Sequence, residues 1–199
     1  MNLSAVLLAG GESRRMRQDK ATLKFGDQLL WQRQLNLLRQ LKPIELFISA
    51  RTDPSWRPAD AEFVADEPPS HGPLSGLAAA MNAMGGTHLL ALAVDMPFMT
   101  LPQLELLCTL AHPSCGVLPV IGSRAEPLAA IYPRNCLPQL QSALSGNDYS
   151  LQRLTTILLD SGQLRVFEVS PEQTPLYRSI NSPADLATFP DFEQPIPAA

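Results

Sequence analysis

Cysteine and histidine are scarce in this chain, and the few present are badly spaced for metal binding. Cys108, Cys115 and Cys136 make no Cys-x-x-Cys pair, and His71, His88 and His112 make no i,i+4 pair. A zinc site and a disulfide framework therefore both lack support, and buried, reduced thiols are expected. Long apolar runs are missing as well, since none approaches the ~18 residues of a membrane span. The apolar run at 3–9 is short and no basic residue precedes it. No secretory leader is expected from it, and the chain is expected to be cytoplasmic with no membrane partner. Basic excess is also absent, because 15 Lys and Arg against 19 Asp and Glu leave a net charge of −4. Nucleic acid held by overall charge is thus not expected. Neither the G-x-G-x-x-G dinucleotide fingerprint nor the G-x-x-x-x-G-K-[ST] phosphate loop occurs, and no internal repeat is visible.

What is present describes one globular domain. The chain has 199 residues, 45% hydrophobic and 17% charged, enough apolar material for a substantial core. Apolar runs at 3–8, 45–50, 62–66 and 88–94 read as strands. Between them, 29–41 and 74–84 show helical spacing, ended by Pro43 and by Gly85-Gly86. A third helix is expected at 101–111, with Thr100 as N-cap and Pro102 in the first turn. The segment 51–60 is too broken by Pro54 and Pro58 for a regular element. Alternating strands and helices imply right-handed crossovers and a mostly parallel sheet, so the fold class is α/β. The second half is less regular. Strands are expected at 116–121 and 128–132, pairing antiparallel around a turn at 123–126, and helices at 136–144 and 151–159. A strand at 164–169 and an extended piece at 179–181 follow. Ser182, Pro183 and Asp185 read as the start of a last helix. The proline-bearing stretch from 190 onward offers little to bury.

The most informative stretch is 6–20. It is an apolar strand that breaks at Gly10-Gly11 and then brings together Ser13, Arg14, Arg15, Arg17 and Lys20. Glycines let the backbone approach a ligand, and free N–H groups backed by cations make a seat for phosphates. A solvated basic turn is the plainer alternative. Asp95 ends the most apolar run, where a carboxylate is costly unless a cation or hydrogen bonds satisfy it. One carboxylate plus substrate phosphates is the usual way Mg²⁺ is held, although an Asp in this position also caps turns. Asp66 ends another strand and offers acceptors to a base or ribose. Gly76, in a helix's first turn, leaves room for a flat ligand. Ligands of parallel sheets bind at the carboxyl ends of the strands, which gathers Gly10-Gly11, Asp66 and Asp95 on one edge.

The pattern Leu8-Ala9-Gly10-Gly11-x-Ser13-x-Arg15-Met16-x-x-Asp19-Lys20 resembles the signature of the nucleotidyltransferases, and within them of the molybdenum cofactor guanylyltransferases. Further blocks stand in that family's order: Asp66, Gly72-Pro73-Leu74-Ser75-Gly76, Asp95-Met96-Pro97-Phe98, Glu126-Pro127-Leu128 and Asn181-Ser182-Pro183. The resemblance runs from about residue 5 to 186. It implies a single-domain, three-layer Rossmann-like nucleotidyltransferase fold over 1–190, with a mostly parallel central sheet and an antiparallel addition in the C-terminal half. Residues 1–111 would be the nucleotide-binding half, 112–190 the acceptor-binding half and 191–199 a loose tail. The implied reaction moves GMP from GTP to molybdopterin and releases pyrophosphate, with Mg²⁺ as cofactor. Transient contacts with molybdenum cofactor biosynthesis proteins or molybdoenzyme chaperones are implied too.

Carried over residue by residue, Leu8, Ala9, Gly10, Gly11, Ser13, Ser49, Asp66 and Gly76 would line the nucleotide. Lys20 would meet its phosphates and Asp95 both GTP and Mg²⁺. Lys20, Asp95 and Arg15 would be the catalytic set, and Glu126 and Asn181 would face the acceptor. The chain departs from the family pattern at Ser49 and Ser179, where Asn is frequent, and at Arg17, where glycine is usual. Gly10 favours guanine, since the cytidine-using relatives tend to carry alanine there. Two alternatives stay open, a molybdopterin cytidylyltransferase and a non-catalytic nucleotide- or pterin-binding protein. Presence of both Lys20 and Asp95 speaks against the second.

Overall fold

Strand β1, Leu3–Leu8, is buried along its whole length, and its side chains alternate between two separate cores. Ala5 and Leu7 enter one core, while Val6 and Leu8 enter the other. A strand covered on both faces has no polar side to present, which is why its sequence shows no alternation. The computed structural model describes residues 1–10, 19–66, 70–182 and 185. In order come β2 (Lys24–Phe25), β3 (Gln28–Leu29), α1 (Leu30–Gln40), β4 (Glu45–Ala50), β5 (Glu62–Ala65), α2 (Pro73–Ala83) and β6 (His88–Ala93). There follow α3 (Leu101–Leu110), β7 (Gly116–Ile121), β8 (Arg124–Ala125), β9 (Ala129–Pro133), α4 (Leu137–Ser145), α5 (Leu151–Asp160) and β10 (Leu164–Glu168).

The main sheet has the order β10-β7-β9-β6-β1-β4-β5, with β8 paired to β7. Strand β1 is parallel to both β4 and β6, β4 to β5, and β10 to β7. Strand β9 runs antiparallel to β6 and β7, so the expected antiparallel addition lies in the C-terminal half. Helices α1 and α3 contribute Leu35, Leu38, Leu104 and Leu107 to one core. Helices α2, α4 and α5 contribute Leu77, Met81, Leu140 and Leu154 to the other. This is the three-layer α/β arrangement.

One expectation held: β4 and β5 are joined by an irregular crossover over 51–60, with no regular element. Several local expectations need correction. Helix α1 stops at Gln40, and Lys42 at φ 51° turns the chain before Pro43. Gly85 and Gly86 do not cap α2, because neither has a positive φ and the helix ends on extended Met84. They allow close approach instead. The Gly85 N–H donates to the Glu45 carboxylate, and a Cβ on Gly86 would meet Asn2 O at 2.8 Å. Thr100 is the N-cap of α3 in backbone terms, but its side chain makes no capping bond. The turn expected at 123–126 is the tighter β7–β8 hairpin, with Gly122 at φ 60°. The expected last helix falls mostly outside the described residues. Its cap is visible, however: Ser182 N donates to Asp185 Oδ2 at 2.7 Å and Asp185 N to Ser182 Oγ at 3.3 Å.

The three cysteines are free thiols, and burial pushes Cys108 up to about 11 and Cys136 up to about 12. Among the described residues no helix is long and apolar enough to cross a membrane. His88 is fully buried between Thr87 Oγ1 at 3.0 Å from Nδ1 and His112 O at 2.9 Å from Nε2. Nε2 therefore carries the proton, and burial holds the imidazolium form below its ordinary 6.5. The unfolded chain protonates His88 as pH falls through 6.5 while the folded chain resists. Stability is thus full above 6.5 and declines below it. Urea denaturation at about pH 5.5 is expected to show a lower midpoint than at about pH 7.5.

Candidate functional site

The register of the parallel strands assembles the site. Leu8 is level with Ser49 of β4 and Ala93 of β6, and Ala50 with Ala65 of β5. The residues that follow, Ala9-Gly10, Asp66 and Val94-Asp95, therefore leave the sheet together at its carboxyl edge. Because β9 runs the other way, its beginning arrives at that same edge, where Ala93 N donates to Leu128 O at 2.8 Å. The buried Tyr132 hydroxyl fixes this loop from below by donating to Pro127 O at 2.7 Å. The result is a cleft of about 510 Å³, open to solvent. Its walls include Gly10, Lys20, Ser49, Asp66, Asp95 and Leu128.

Lys20 begins a single 3-10 turn, Lys20–Thr22, whose Ala21 is fully buried. Asp19 caps that turn, accepting from Ala21 N at 2.9 Å, while its other oxygen accepts from Trp56 Nε1 at 3.3 Å. Trp56 stacks on Trp31 with ring centroids 5.1 Å apart. Held this way, the Lys20 ammonium lies 2.8 Å from Asp95 Oδ2 and 2.9 Å from Asn181 Oδ1. The two charged side chains are only 15% and 19% exposed, so solvent screens their attraction weakly.

The turn carrying Asp95 is held by its backbone. Asp95 O accepts from Ile180 N at 2.9 Å, Met96 O from the Gln34 amide, and Pro97 O from Arg33 Nε at 2.6 Å. Three consecutive carbonyls thus receive donors from α1 and from the chain's last described segment. Gln34 is fully buried and its Oε1 has no partner. Gln34→Leu would leave Met96 O with only the 3.2 Å bond from Met99 N. A loss of about 1–2 kcal/mol, roughly 3–6 °C in Tm, is expected by thermal denaturation.

Across the cleft, Asp66 is 6% exposed, and among the described residues its side-chain partners are hydroxyls, not cations. Ser49 Oγ donates to Oδ1 at 2.7 Å and Ser70 Oγ to Oδ2 at 3.4 Å. Gly10 and Gly76 press on the carboxylate from two sides. A Cβ on Gly10 would stand 2.6 Å from Oδ2, and one on Gly76 would stand 3.0 Å from Oδ1 and collide with Ser49 Oγ. Both glycines are there for close approach, and neither has a positive φ. Beyond Ser70, the His71 ring stacks on Tyr149, with centroids 3.6 Å apart, and ties the start of α2 to the 146–150 loop.

A family model described as a MobA-like NTP transferase domain matches residues 5–163. The chain belongs to the MobA-like NTP transferase family. Among its relatives is a probable molybdenum cofactor guanylyltransferase from Opitutus terrae, 34% identical over 186 residues, which cover 92% of each chain. Its solved neighbours include molybdopterin-guanine dinucleotide biosynthesis protein A from Archaeoglobus fulgidus, with TM-score 0.71 and 22% identity over 93% of this chain and 95% of that one. Another is 2-C-methyl-D-erythritol 4-phosphate cytidylyltransferase from Thermus thermophilus, with TM-score 0.64 and 16% identity over 92% and 95%. At these identities the solved neighbours establish the fold alone.

In this MobA-like domain the structure brings Leu8, Ala9, Gly10, Lys20, Ser49, Asp66 and Asp95 to one cleft, with Gly76 directly behind Asp66. Gly11, Ser13 and Arg15, and with them Arg14 and Arg17, lie outside the described residues. Glu126 shares the sheet edge but not the lining of that cleft. Burial pushes its carboxyl up, against the pull of Arg124. Asn181 sits on Lys20, not opposite it. Arg33, Gln34 and Ser70 were not singled out from the sequence. The one signal for Gln34 is a polar residue on the apolar face of a helix, beside Leu35 and Leu38.

Among the described residues no group of three His, Cys, Asp or Glu side chains forms a metal cage. Asp95 offers a single carboxylate on the cleft wall, with oxygen donors only. Such a donor fits a hard cation that takes its remaining ligands from substrate phosphates and water, and it does not fit a protein-only metal centre.

Proposed function

We propose that this MobA-like transferase moves GMP from GTP to molybdopterin and releases pyrophosphate, assisted by Mg²⁺. The observation that carries the base assignment is the buried Asp66 carboxylate on the cleft wall, which among the described residues meets hydroxyls and no cation. Guanine presents adjacent N1–H and N2–H donors, which a carboxylate accepts together. Cytosine presents one amino donor beside the N3 acceptor, which the carboxylate would repel. A site built around a buried acceptor rejects ligands that leave it unpaired. The names of curated relatives, beginning with the Opitutus terrae guanylyltransferase, agree with this reading.

In the reaction, an acceptor phosphate oxygen attacks the α-phosphorus of GTP. The bond from that phosphorus to the bridging oxygen breaks, and pyrophosphate leaves. Little acid–base work is needed, so catalysis is positioning and charge neutralisation. Among the described residues the Lys20 ammonium has two of its three N–H groups on Asp95 and Asn181, which leaves one for a phosphate oxygen. Arg15, from the basic stretch outside the described residues, would add a second cation. Asp95 would hold Mg²⁺, which when bound neutralises charge on the phosphates. Asp66, Ser49 and the two glycines orient the base, and so place the α-phosphate near Lys20.

The only two tryptophans, Trp31 and Trp56, stack on each other, and Trp56 is bonded to Asp19, the residue before Lys20, so intrinsic emission is the readout used for ligand binding. Titration without acceptor is expected to give at least tenfold tighter binding for GTP than for CTP, about 1.4 kcal/mol. Equal or tighter binding of CTP would overturn the base assignment.

A further inference from the structure

Ile180, Asn181, Ser182 and Asp185 stand at the cleft's charged end. Ile180 is fully buried, and its N–H is on the Asp95 carbonyl. One step further, Asn181 N and Ser182 N both donate to Asp185 Oδ2, at 2.8 and 2.7 Å. These contacts fix the backbone of Asn181 on both sides. Its side chain then reaches Lys20 across 161 residues of sequence, with Oδ1 2.9 Å from Nζ. An ammonium has donors only, so the group facing it is the amide oxygen.

The family resemblance would make Asn181 a ligand of the acceptor. We propose instead that Asn181 is a positioning residue: its amide oxygen fixes the Lys20 ammonium, so that Lys20 meets the nucleotide's phosphates in a preset place. The proposal rests on the reading of Lys20 as a phosphate ligand.

Two features favour it. The first is geometry. Asp95 alone leaves a lysine free to swing about one contact, because its stem has four rotatable carbons. A second acceptor, on a backbone hydrogen-bonded to either side, removes that freedom before the ligand arrives, and binding then costs less side-chain ordering. The second is charge. A carboxylate in place of Asn181 would also hold Lys20, but it would place another negative group against incoming phosphates. An amide oxygen accepts the hydrogen bond and leaves the ammonium's charge for the ligand.

The two roles differ in what they do when no acceptor is present. A residue that binds molybdopterin has no effect on GTP binding alone, whereas one that fixes Lys20 does. The difference is also conditional on Lys20, which a double-mutant cycle reads directly. GTP binding is titrated by tryptophan emission, without molybdopterin, in the full chain and in Asn181→Ala, Lys20→Met and the double variant. Asn181 is exposed, so its truncation is expected to leave the Tm unchanged, and the Tm is measured alongside.

The expected result is about a tenfold loss of GTP affinity in Asn181→Ala, the size of one partly exposed bond to a charged group. In the Lys20→Met background the same truncation is expected to change affinity less than about twofold, because contacts that act through one group are not additive. Unchanged GTP binding in Asn181→Ala, with only the KM for molybdopterin raised, would overturn the proposal. So would an equal loss in both backgrounds. If Lys20→Met itself bound GTP as tightly as the full chain, the reading of Lys20 would fall, and the proposal with it. A wild-type chain that bound no GTP would strike the proposed function itself, a separate result.

Discussion

Lys20→Met is expected to lower GMP transfer by about 10³-fold or more while leaving a folded protein. The loss combines two effects. On the proposed mechanism the variant lacks the cation that neutralises charge building on the α-phosphate and the leaving pyrophosphate, and groups of that kind are each worth about 10²–10³ in turnover. It also releases Asp95, whose Oδ2 is held at 2.8 Å by the ammonium. Asp95 is still restrained through its carbonyl by Ile180, and the turn through Met96 O and Pro97 O, so the fold around it persists. A carboxylate 19% exposed that loses its partner does cost stability, about 1–2 kcal/mol after allowing for its contact with solvent. Pyrophosphate release followed over time, with thermal denaturation beside it, separates lost chemistry from lost folding. Near wild-type release would contradict the assigned role of Lys20.

Gly10→Ala is expected to erase most of the preference for GTP over CTP. The added Cβ would stand 2.6 Å from Asp66 Oδ2 and 3.3 Å from the Ala50 Cα. The backbone of β4 cannot give way, so the carboxylate must. Gly76 stands close behind it, since even a single Cβ there would come within 3.0 Å of Oδ1, so little room lies on that side. Asp66 therefore turns out of its seat and gives up the Ser49 bond. Loss of both proposed guanine contacts is expected to weaken GTP about 30- to 100-fold, equivalent to about 2–3 kcal/mol, with little change for CTP. The crowding itself is expected to cost about 1–3 kcal/mol of stability. Competition titrations with the two nucleotides check the ratio. This coupling also gives a physical reason for glycine in the family's first block: a methyl group there and a buried carboxylate at 66 do not fit together.

Strands β1, β4 and β7 were legible from the sequence to the residue, because strands covered on both faces are largely apolar runs bounded by turn residues. The edge that gathers Gly10, Asp66 and Asp95 followed from the same pattern. What escaped depends on contacts between distant residues. Gln34 reads as one polar residue on a helix, and its importance comes from Met96, 62 positions away. Gly85 and Gly86 read as a helix stop, and only the neighbouring Asn2 and Glu45 show that their missing side chains make room. Asn181 was singled out by its motif, but its contact with Lys20 is a matter of tertiary placement. The irregular crossover between β4 and β5, by contrast, was legible from Pro54 and Pro58, and it is held by local pairs such as Arg57 with Asp53 at 2.7 Å.

The most direct test incubates the purified chain with molybdopterin, Mg²⁺ and equal GTP and CTP, and weighs the pterin product by mass spectrometry. The expected product carries GMP, with one pyrophosphate released per product and CMP adduct at least tenfold less abundant. A pterin carrying mainly CMP, or an unmodified pterin beside bound GTP, would contradict the account.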